Sequence, residues 1–272
     1  MKLRDILKDE KITVSMEVFP PKTTANYESV EKAALGVTYG AGGGTRGNTV
    51  NIASEIQDRY DVTTIAHLTC VGAGREDIKD TLGRMKEAGI ENILALRGDR
   101  PKDFEGDPFK DYHYASELVG DIKKYGDFCV GGACYPEGHP DSATKKEDIL
   151  NLKKKVDAGC EFLTTQMFFD NNIFYNFLYK VREAGILVPV VPGIMPITRA
   201  NQVENAVRLS GCNAIVDRFG TNPAAMSQAG IAYATDQIID LIANGINHIH
   251  VYSMNKPEIA KGILDNLSEI IG

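Results

Sequence analysis

One carboxylate stands inside an otherwise apolar, strand-like run: Glu17 in Val14-Ser15-Met16-Glu17-Val18-Phe19. Strand alternation puts it on the same face as Ser15 and Phe19. A buried glutamate without a partner is costly, so its presence there points to a role in chemistry. Desolvation raises a carboxyl pKa, which suits a general acid working near neutrality. The competing reading is a glutamate that faces outward toward a helix.

Other polar groups recur at similar places. Arg97-Gly98-Asp99 follows the apolar run Asn92–Leu96. Such neighbours can pair with each other on a surface, or stand beside a ligand that glycine lets approach. His67 reads either as a satisfied core histidine or as a ligand neighbour, and His67 and His139 lack partners at metal-ligand spacing. Lys153-Lys154-Lys155 falls on a helical pattern that begins near Thr144. A solvated face is the ordinary reading, but three successive lysines cannot share one face of a helix. At least one must point toward the sheet or its rim, where it could hold a phosphate. Gly42, Gly44 and Gly47 form a GxGxxG within Gly40–Gly47. A dinucleotide fingerprint wants an acidic residue on the next strand, which here carries His67, and a P-loop wants Gly-Lys-Ser/Thr. A rim loop beside a ligand fits better.

The elements that must position these groups are eight short apolar runs, most of them followed by a helical pattern. They are Thr13–Phe19, Gly36–Tyr39, Thr63–Leu68, Asn92–Leu96, Cys129–Cys134, Phe162–Gln166, Val188–Pro192 and His248–Tyr252. Glu17, Tyr39, His67, Arg97, Asp99, Tyr135, Gln166 and Tyr252 lie at or near their carboxyl ends. The pattern predicts an α/β fold of the TIM (β/α)8 barrel type, in which catalytic residues gather on that rim. Helices are expected at Ser54–Tyr60, Arg75–Gly89, Tyr114–Tyr125 and Thr144–Ala158, the last opened by a Thr144/Glu147 capping box. Two more, Arg199–Ser210 and Pro223–Ala243, place an extra helix before the last strand. Residues 1–272 read as a single domain, with no linker or low-complexity segment. The crossover between Thr24 and Val37 has room for only a short first helix.

Composition narrows the function. A net charge of −7 and a pI near 5.3 argue against wholesale nucleic-acid binding. The first residues lack the apolar core of a signal peptide, and no run approaches a membrane span of roughly 18 residues. Five cysteines without a CxxC pair suit reduced thiols in a cytoplasmic protein.

An ordered set of segments resembles the methylenetetrahydrofolate reductase family. Met16–Thr23, Val37–Ala41, His67–Cys70, Ala95–Asp99, Tyr135–Pro140, Lys155–Gly159, Thr165–Asp170 and Pro192–Pro196 carry it, so that it runs from about Val14 to Lys256. The resemblance implies a barrel holding non-covalent FAD. It makes Glu17 the general acid that opens the five-membered ring of methylenetetrahydrofolate, and it sets Asp99 between flavin and pterin. Flavin or nicotinamide contacts fall on Thr38, Tyr39, Ala41, His67, Arg97, Gly98, Asp99, Ala115, Tyr135, His139, Ser142, Asp148, Asn151, Lys154 and Lys155. Lys154 and Lys155 would face the FAD phosphates or ribose. Substrate contacts fall on Asp99, Gln166, Gln202 and Lys256, the last meeting the glutamate tail.

Such an enzyme would reduce 5,10-methylenetetrahydrofolate to 5-methyltetrahydrofolate by ping-pong hydride transfer, fed by NADH, NADPH or a redox partner protein. It would work as a homo-oligomer or as a subunit of a complex. Two departures accompany the resemblance. The segment from Thr23 to Val37 is about ten residues shorter than the family's first helix and second strand imply, and the long regulatory extension of the animal enzymes has no counterpart. Other functions compatible with the residues are a subunit active only in a larger redox complex, a flavin-free barrel aldolase or isomerase using Glu17 and a rim lysine, and a small-ligand binding protein.

Overall fold

The computed structural model describes residues 1–18, 37–39, 46–100, 106–199, 202 and 213–272. In chain order these are α1 (Leu3–Ile6), β1 (Thr13–Val18), β2 (Val37–Tyr39), α2 (Arg46–Tyr60), β3 (Ala66–Thr69), α3 (Arg75–Glu87), β4 (Asn92–Leu96), α4 (Ala115–Tyr125) and β5 (Cys129–Cys134). There follow α5 (Lys145–Asp157), β6 (Phe162–Thr165), α6 (Asn171–Glu183), β7 (Val190–Val191), β8 (Gly193–Ile194), α7 (Asn213–Phe219), α8 (Pro223–Ala243), β9 (His248–Val251) and α9 (Pro257–Ile271). Every ladder is parallel. The strands form two runs, β2-β1-β9-β8 and β3-β4-β5-β6-β7. This is a TIM-barrel-like α/β architecture, although no ladder joins β2 to β3 among the described residues.

The seventh expected strand is broken. Val190–Val191 pairs with β6, whereas Gly193–Ile194 pairs with β9. Pro192 lies between them and has no N–H to donate. Its carbonyl still accepts from the His250 amide at 2.9 Å, so the chain steps from one neighbour to the other without a gap. The third strand starts at Ala66, three residues later than the apolar run suggested. Of the two helices expected before the last strand, Pro223–Ala243 is present as α8, while Arg199–Ser210 lies almost wholly outside the described residues. A seven-residue helix, α7, stands ahead of α8.

Helix ends follow the sequence signals. Thr144 Oγ1 accepts from the Glu147 amide at 3.1 Å. The Glu147 carboxylate in turn accepts from the Ala143 amide rather than from that of Thr144, so the capping box is shifted by one residue. Gly89, Gly159 and Gly185 follow their helices with positive φ, as stops should. No described helix is long and apolar enough to cross a membrane.

The interior between the strands is layered. At the amino ends, Leu3 and Leu7 around α1 pack with Ile65, Leu94, Phe162 and Val191. The buried Asn92 carboxamide oxygen accepts from the Leu3 amide at 2.6 Å. Arg4 and Lys123 both reach Glu161, at 2.6 and 2.8 Å, and tie this plug to β6 and α4. Above the plug the interior turns polar: Thr13 meets His248 Nδ1 at 2.8 Å and Ser15 meets His250 Nδ1 at 3.0 Å. Cys70, Cys129, Cys134 and Cys160 are buried thiols, and Cys212 lies outside the described residues. Burial pushes the Cys129 thiol up to about 11 and Cys160 to about 12, so both stay protonated and unreactive.

β5 carries two adjacent glycines with close neighbours on both faces. A Cβ on Gly131 would come within 2.2 Å of the Phe162 ring, and one on Gly132 within 2.6 Å of the Lys155 stem. The strand is therefore completed by side chains from α5 and β6.

Candidate active site

A cavity of about 990 Å³ opens at the carboxyl ends of the strands. Its polar lining includes Glu17 from β1, His67 and Thr69 from β3, Arg97 and Asp99 after β4, Tyr135 and His139 after β5, Lys155 from α5 and Tyr252 after β9. Val71, Leu94 and Leu96 supply apolar surface, Gln166 follows β6, and Ala115 brings in the amino end of α4. Strand-end residues meet here because every strand points the same way.

Glu17 is 6% exposed. Apolar neighbours in β1 sink its backbone, and strand alternation turns its side chain inward. Its Oε1 lies 3.9 Å from His67 Nδ1. Burial, with a lesser push from His250, brings the His67 pKa down to about 3, so the imidazole is neutral and the two groups do not form an ion pair. At 3.9 Å they do not form a hydrogen bond either. Ser253 Oγ donates to the Glu17 carbonyl at 3.0 Å and fixes the strand below the carboxylate. The Tyr252 hydroxyl donates to the Thr165 carbonyl at 2.7 Å, and burial with nearby Glu17 holds it protonated.

Arg97 does not pair with Asp99. Its guanidinium reaches Asp141 at 2.7 Å, beyond β5, and lies 5.1 Å from the Phe109 ring centroid. Hydrogen bonding from Arg97 holds the Asp141 carboxyl below its usual range. Asp99 stays exposed at the mouth. Between them, Gly98 has φ +84°, and a Cβ there would come within 2.4 Å of Val71. Only glycine lets the chain turn so tightly against the wall. Tyr135 packs edge-on against His139 at 4.5 Å, and burial, then Asp99, raises its hydroxyl pKa.

The three consecutive lysines separate as helix geometry requires. Lys153 pairs with Asp157, and Lys154 meets Asn151 at 3.0 Å on the exposed side. Lys155 lays its stem across Gly132, donates to the Ala133 carbonyl at 2.6 Å and enters the cavity wall. Burial lowers its pKa.

Residues 2–268 match the methylenetetrahydrofolate reductase family. The chain belongs to this family. It is 33% identical over 273 residues to the 5,10-methylenetetrahydrofolate reductase of Pectobacterium carotovorum, covering 94% of this chain and 90% of that one. It is 37% identical over 280 residues to methylenetetrahydrofolate reductase 1 of Schizosaccharomyces pombe, covering 95% and 46%. The chain thus spans about half the length of its plant and fission-yeast relatives. A solved Clostridium thermocellum protein, titled as binding two copies of 5-methyl-5,6,7,8-tetrahydrofolic acid, shares the fold with a TM-score of 0.68 at 14% identity, covering 100% of this chain and 99% of that one.

Set against the residues expected from the resemblance to methylenetetrahydrofolate reductases, the cavity gathers Glu17, His67, Arg97, Gly98, Asp99, Ala115, Tyr135, His139, Lys155 and Gln166. Thr38 lies beside Glu17 and Tyr39 beside Val18 in the β1–β2 register. Ala41 lies outside the described residues, as do Gly42 and Gly44 of the rim loop. Asn151 and Lys154 do not line the cavity, being on the outer side of α5. Ser142 and Asp148 do not line it either: they bond each other at 3.2 Å, and Asp148 faces a separate hollow of about 220 Å³ between α5 and α6.

Gln202 and Lys256 also stand apart from the lining, but they meet at one residue. Thr198 gives its amide to Gln202 at 2.9 Å and accepts from Lys256 Nζ at 2.8 Å. Burial, with Arg199 nearby, lowers the Lys256 pKa. The sequence reading did not assign Thr69, Val71, Thr164 or Tyr252 to the site. Tyr252 had a signal, an aromatic at the end of the last apolar run. Asp141 had none, because its role depends on Arg97 reaching over from another loop.

Proposed function

We propose that this chain reduces 5,10-methylenetetrahydrofolate to 5-methyltetrahydrofolate, with non-covalent FAD as the redox group and Glu17 as general acid. The observation that carries the reading is Glu17, a buried carboxylate on the wall of a strand-end cavity whose other residues are largely neutral or cationic. The names of the relatives support the substrate class.

The cavity fits a flavin. Its volume is at the upper end for small-molecule sites, and Val71, Leu94 and Leu96 offer apolar surface to a flat ring. Lys155, Arg97 and the amino end of α4 at Ala115 supply positive charge for phosphates. In this reading His67, Gly98 and Tyr135 border the ring. Bound flavin would supply the hydride, and the protein would supply orientation and the proton.

The proton step belongs to Glu17. Its carboxyl gives a proton to the ring nitrogen whose bond to the bridging carbon breaks. The electrons of that bond stay on nitrogen, and Glu17 is left as carboxylate. The bridging carbon, still bonded to the second nitrogen, becomes electron-poor and ready to accept hydride. Asp99 at the mouth accepts from pterin N–H donors, and the Gln166 carboxamide fixes the ring's orientation. The electrons come from NADH, NADPH or a redox partner protein.

The test is anaerobic rapid mixing of the purified protein with NADH and NADPH in turn, following flavin absorbance, then with methylenetetrahydrofolate. Bleaching by a nicotinamide and recovery with the folate are expected. A colourless protein that cannot take up FAD points to a flavin-free aldolase. A flavin that no nicotinamide reduces points to a subunit fed by a partner.

A further inference from the structure

Facing Glu17 the structure holds an imidazole to which the proposed proton step gives no task. His67 Nδ1 is buried, has no hydrogen-bond partner among the described residues, and faces Glu17 Oε1 across 3.9 Å. A neutral imidazole carries one ring proton, so Nδ1 is either a donor or an acceptor. His250 of β9 acts on His67 and Tyr252 just after β9 is close enough to feel Glu17, while His250 is itself kept neutral by burial, at about 4. Asp99, Arg97 and Lys155 stand farther round the cavity wall.

We propose that His67 is a positioning residue for the general acid, its Nδ1 accepting the proton of the Glu17 carboxyl and so holding Glu17 in its acid form until the folate nitrogen takes that proton. The inference rests on Glu17 being the acid of the proposed function. A lone-pair nitrogen and a carboxylate oxygen facing each other need one proton between them to bond, and that proton is the one the reaction uses. Hydrogen bonds of catalytic groups are often long before ligand binds, and closing 3.9 Å to bonding distance takes a shift of about 1 Å. An acceptor for the protonated form favours that form and raises the acid's pKa. His67 therefore acts on the protonation equilibrium of Glu17, apart from its place at the cavity wall.

Two measurements test this without relying on turnover. Nitrogen NMR of histidine-labelled protein should show His67 with the proton on Nε2 and a bare, hydrogen-bond-accepting Nδ1; a proton on Nδ1 overturns the proposal. Infrared difference titration, wild type against Glu17→Gln, reports the Glu17 carboxyl directly. In His67→Gln, which lacks an acceptor at the Nδ1 position, its midpoint should fall by about one pH unit, a tenfold change in protonation. His67→Asn, which places a carboxamide near Nδ1, should restore it. An unchanged midpoint in His67→Gln overturns the proposal. If the midpoints shift as expected while the wild type reduces no folate, the positioning role stands and the proposed substrate fails.

Discussion

The two ends of these parallel strands are built from opposite materials. At the amino ends, α1 closes the interior with Leu3 and Leu7, and the charges that do occur are matched: Arg4 and Lys123 share Glu161, and Lys2 reaches Asp127. At the carboxyl ends the same strands finish in a carboxylate, a neutral histidine and a tyrosine around open space, with a lysine reaching in from α5. Glu17 faces a neutral imidazole at 3.9 Å, and Lys155 meets a carbonyl rather than an acid. Charges at the closed end meet in ion pairs, whereas at the open end Arg97 alone of the lining's named cations reaches an acid, Asp141, and Lys155 turns to the backbone. The division teaches which changes should cost stability and which should cost chemistry.

The sharpest break in that division is Glu17→Gln. Flavin binding and reduction by the donor should stay near normal while folate reduction falls by about 10²–10⁴-fold, the usual worth of a general acid. Stopped-flow measurement of the two half-reactions checks it, and an equal loss in both would make Glu17 structural.

Lys155→Ala should be next in size. Losing a charge-assisted phosphate bond of about 1.5–3 kcal/mol raises the FAD dissociation constant roughly ten- to hundredfold. Folate reduction should recover once FAD is saturating. Titration of apo-protein with FAD reads this, and an unchanged constant would return Lys155 to a packing role on Gly132.

The closed end should respond in stability alone. Burial pushes the Glu161 pKa up, but hydrogen bonds from Arg4 and Lys123 outweigh it, and the net shift is downward. A carboxyl depressed in the folded state stabilises the fold above its unfolded pKa. That contribution is lost as pH falls from the ordinary glutamate range through the lowered folded value. Glu161→Gln should therefore lower stability by about 1–2 kcal/mol at neutral pH, and by less in acid. Urea melts at pH 7 and pH 4 compare the two, with the half-reaction rates expected to be unchanged at pH 7. Equal destabilisation at both pH values would mean that the shape of the side chain, not its charge, ties down α1.

The smallest effect is expected at Asp99. It is exposed at the mouth, where solvent weakens a single charge. Asp99→Asn should move the flavin midpoint potential modestly positive, because less negative charge opposes the reduced form, and should weaken folate binding. A potential that moves negative would place Asp99 away from the flavin.

The open end was the more legible in the sequence. Glu17 announces itself by polarity within an apolar run, and Arg97 and Asp99 by following one; strand periodicity then brings them to one rim. Lys155 is legible through helix geometry, since three lysines in a row must diverge. Pairings across loops were not legible. Nothing local says that Arg97 will choose Asp141 over Asp99, or that Lys256 and Gln202 will meet at Thr198. The interruption at Pro192 was also hidden, because Val188–Pro192 has strand composition and only its neighbours decide which residue bonds to which.

The double glycine of β5 has a consequence for the order of assembly. Gly131 and Gly132 give the strand almost no surface of its own to bury, and what covers them, the Phe162 ring and the Lys155 stem, comes later in the chain. Emerging from synthesis, β5 has only β4 to hold it by backbone bonds. It gains its side-chain packing when α5 and β6 dock. The lysine expected to hold the cofactor is thus also part of the step that locks the centre of the larger sheet, so the wall of the site and the site's positive charge arrive together.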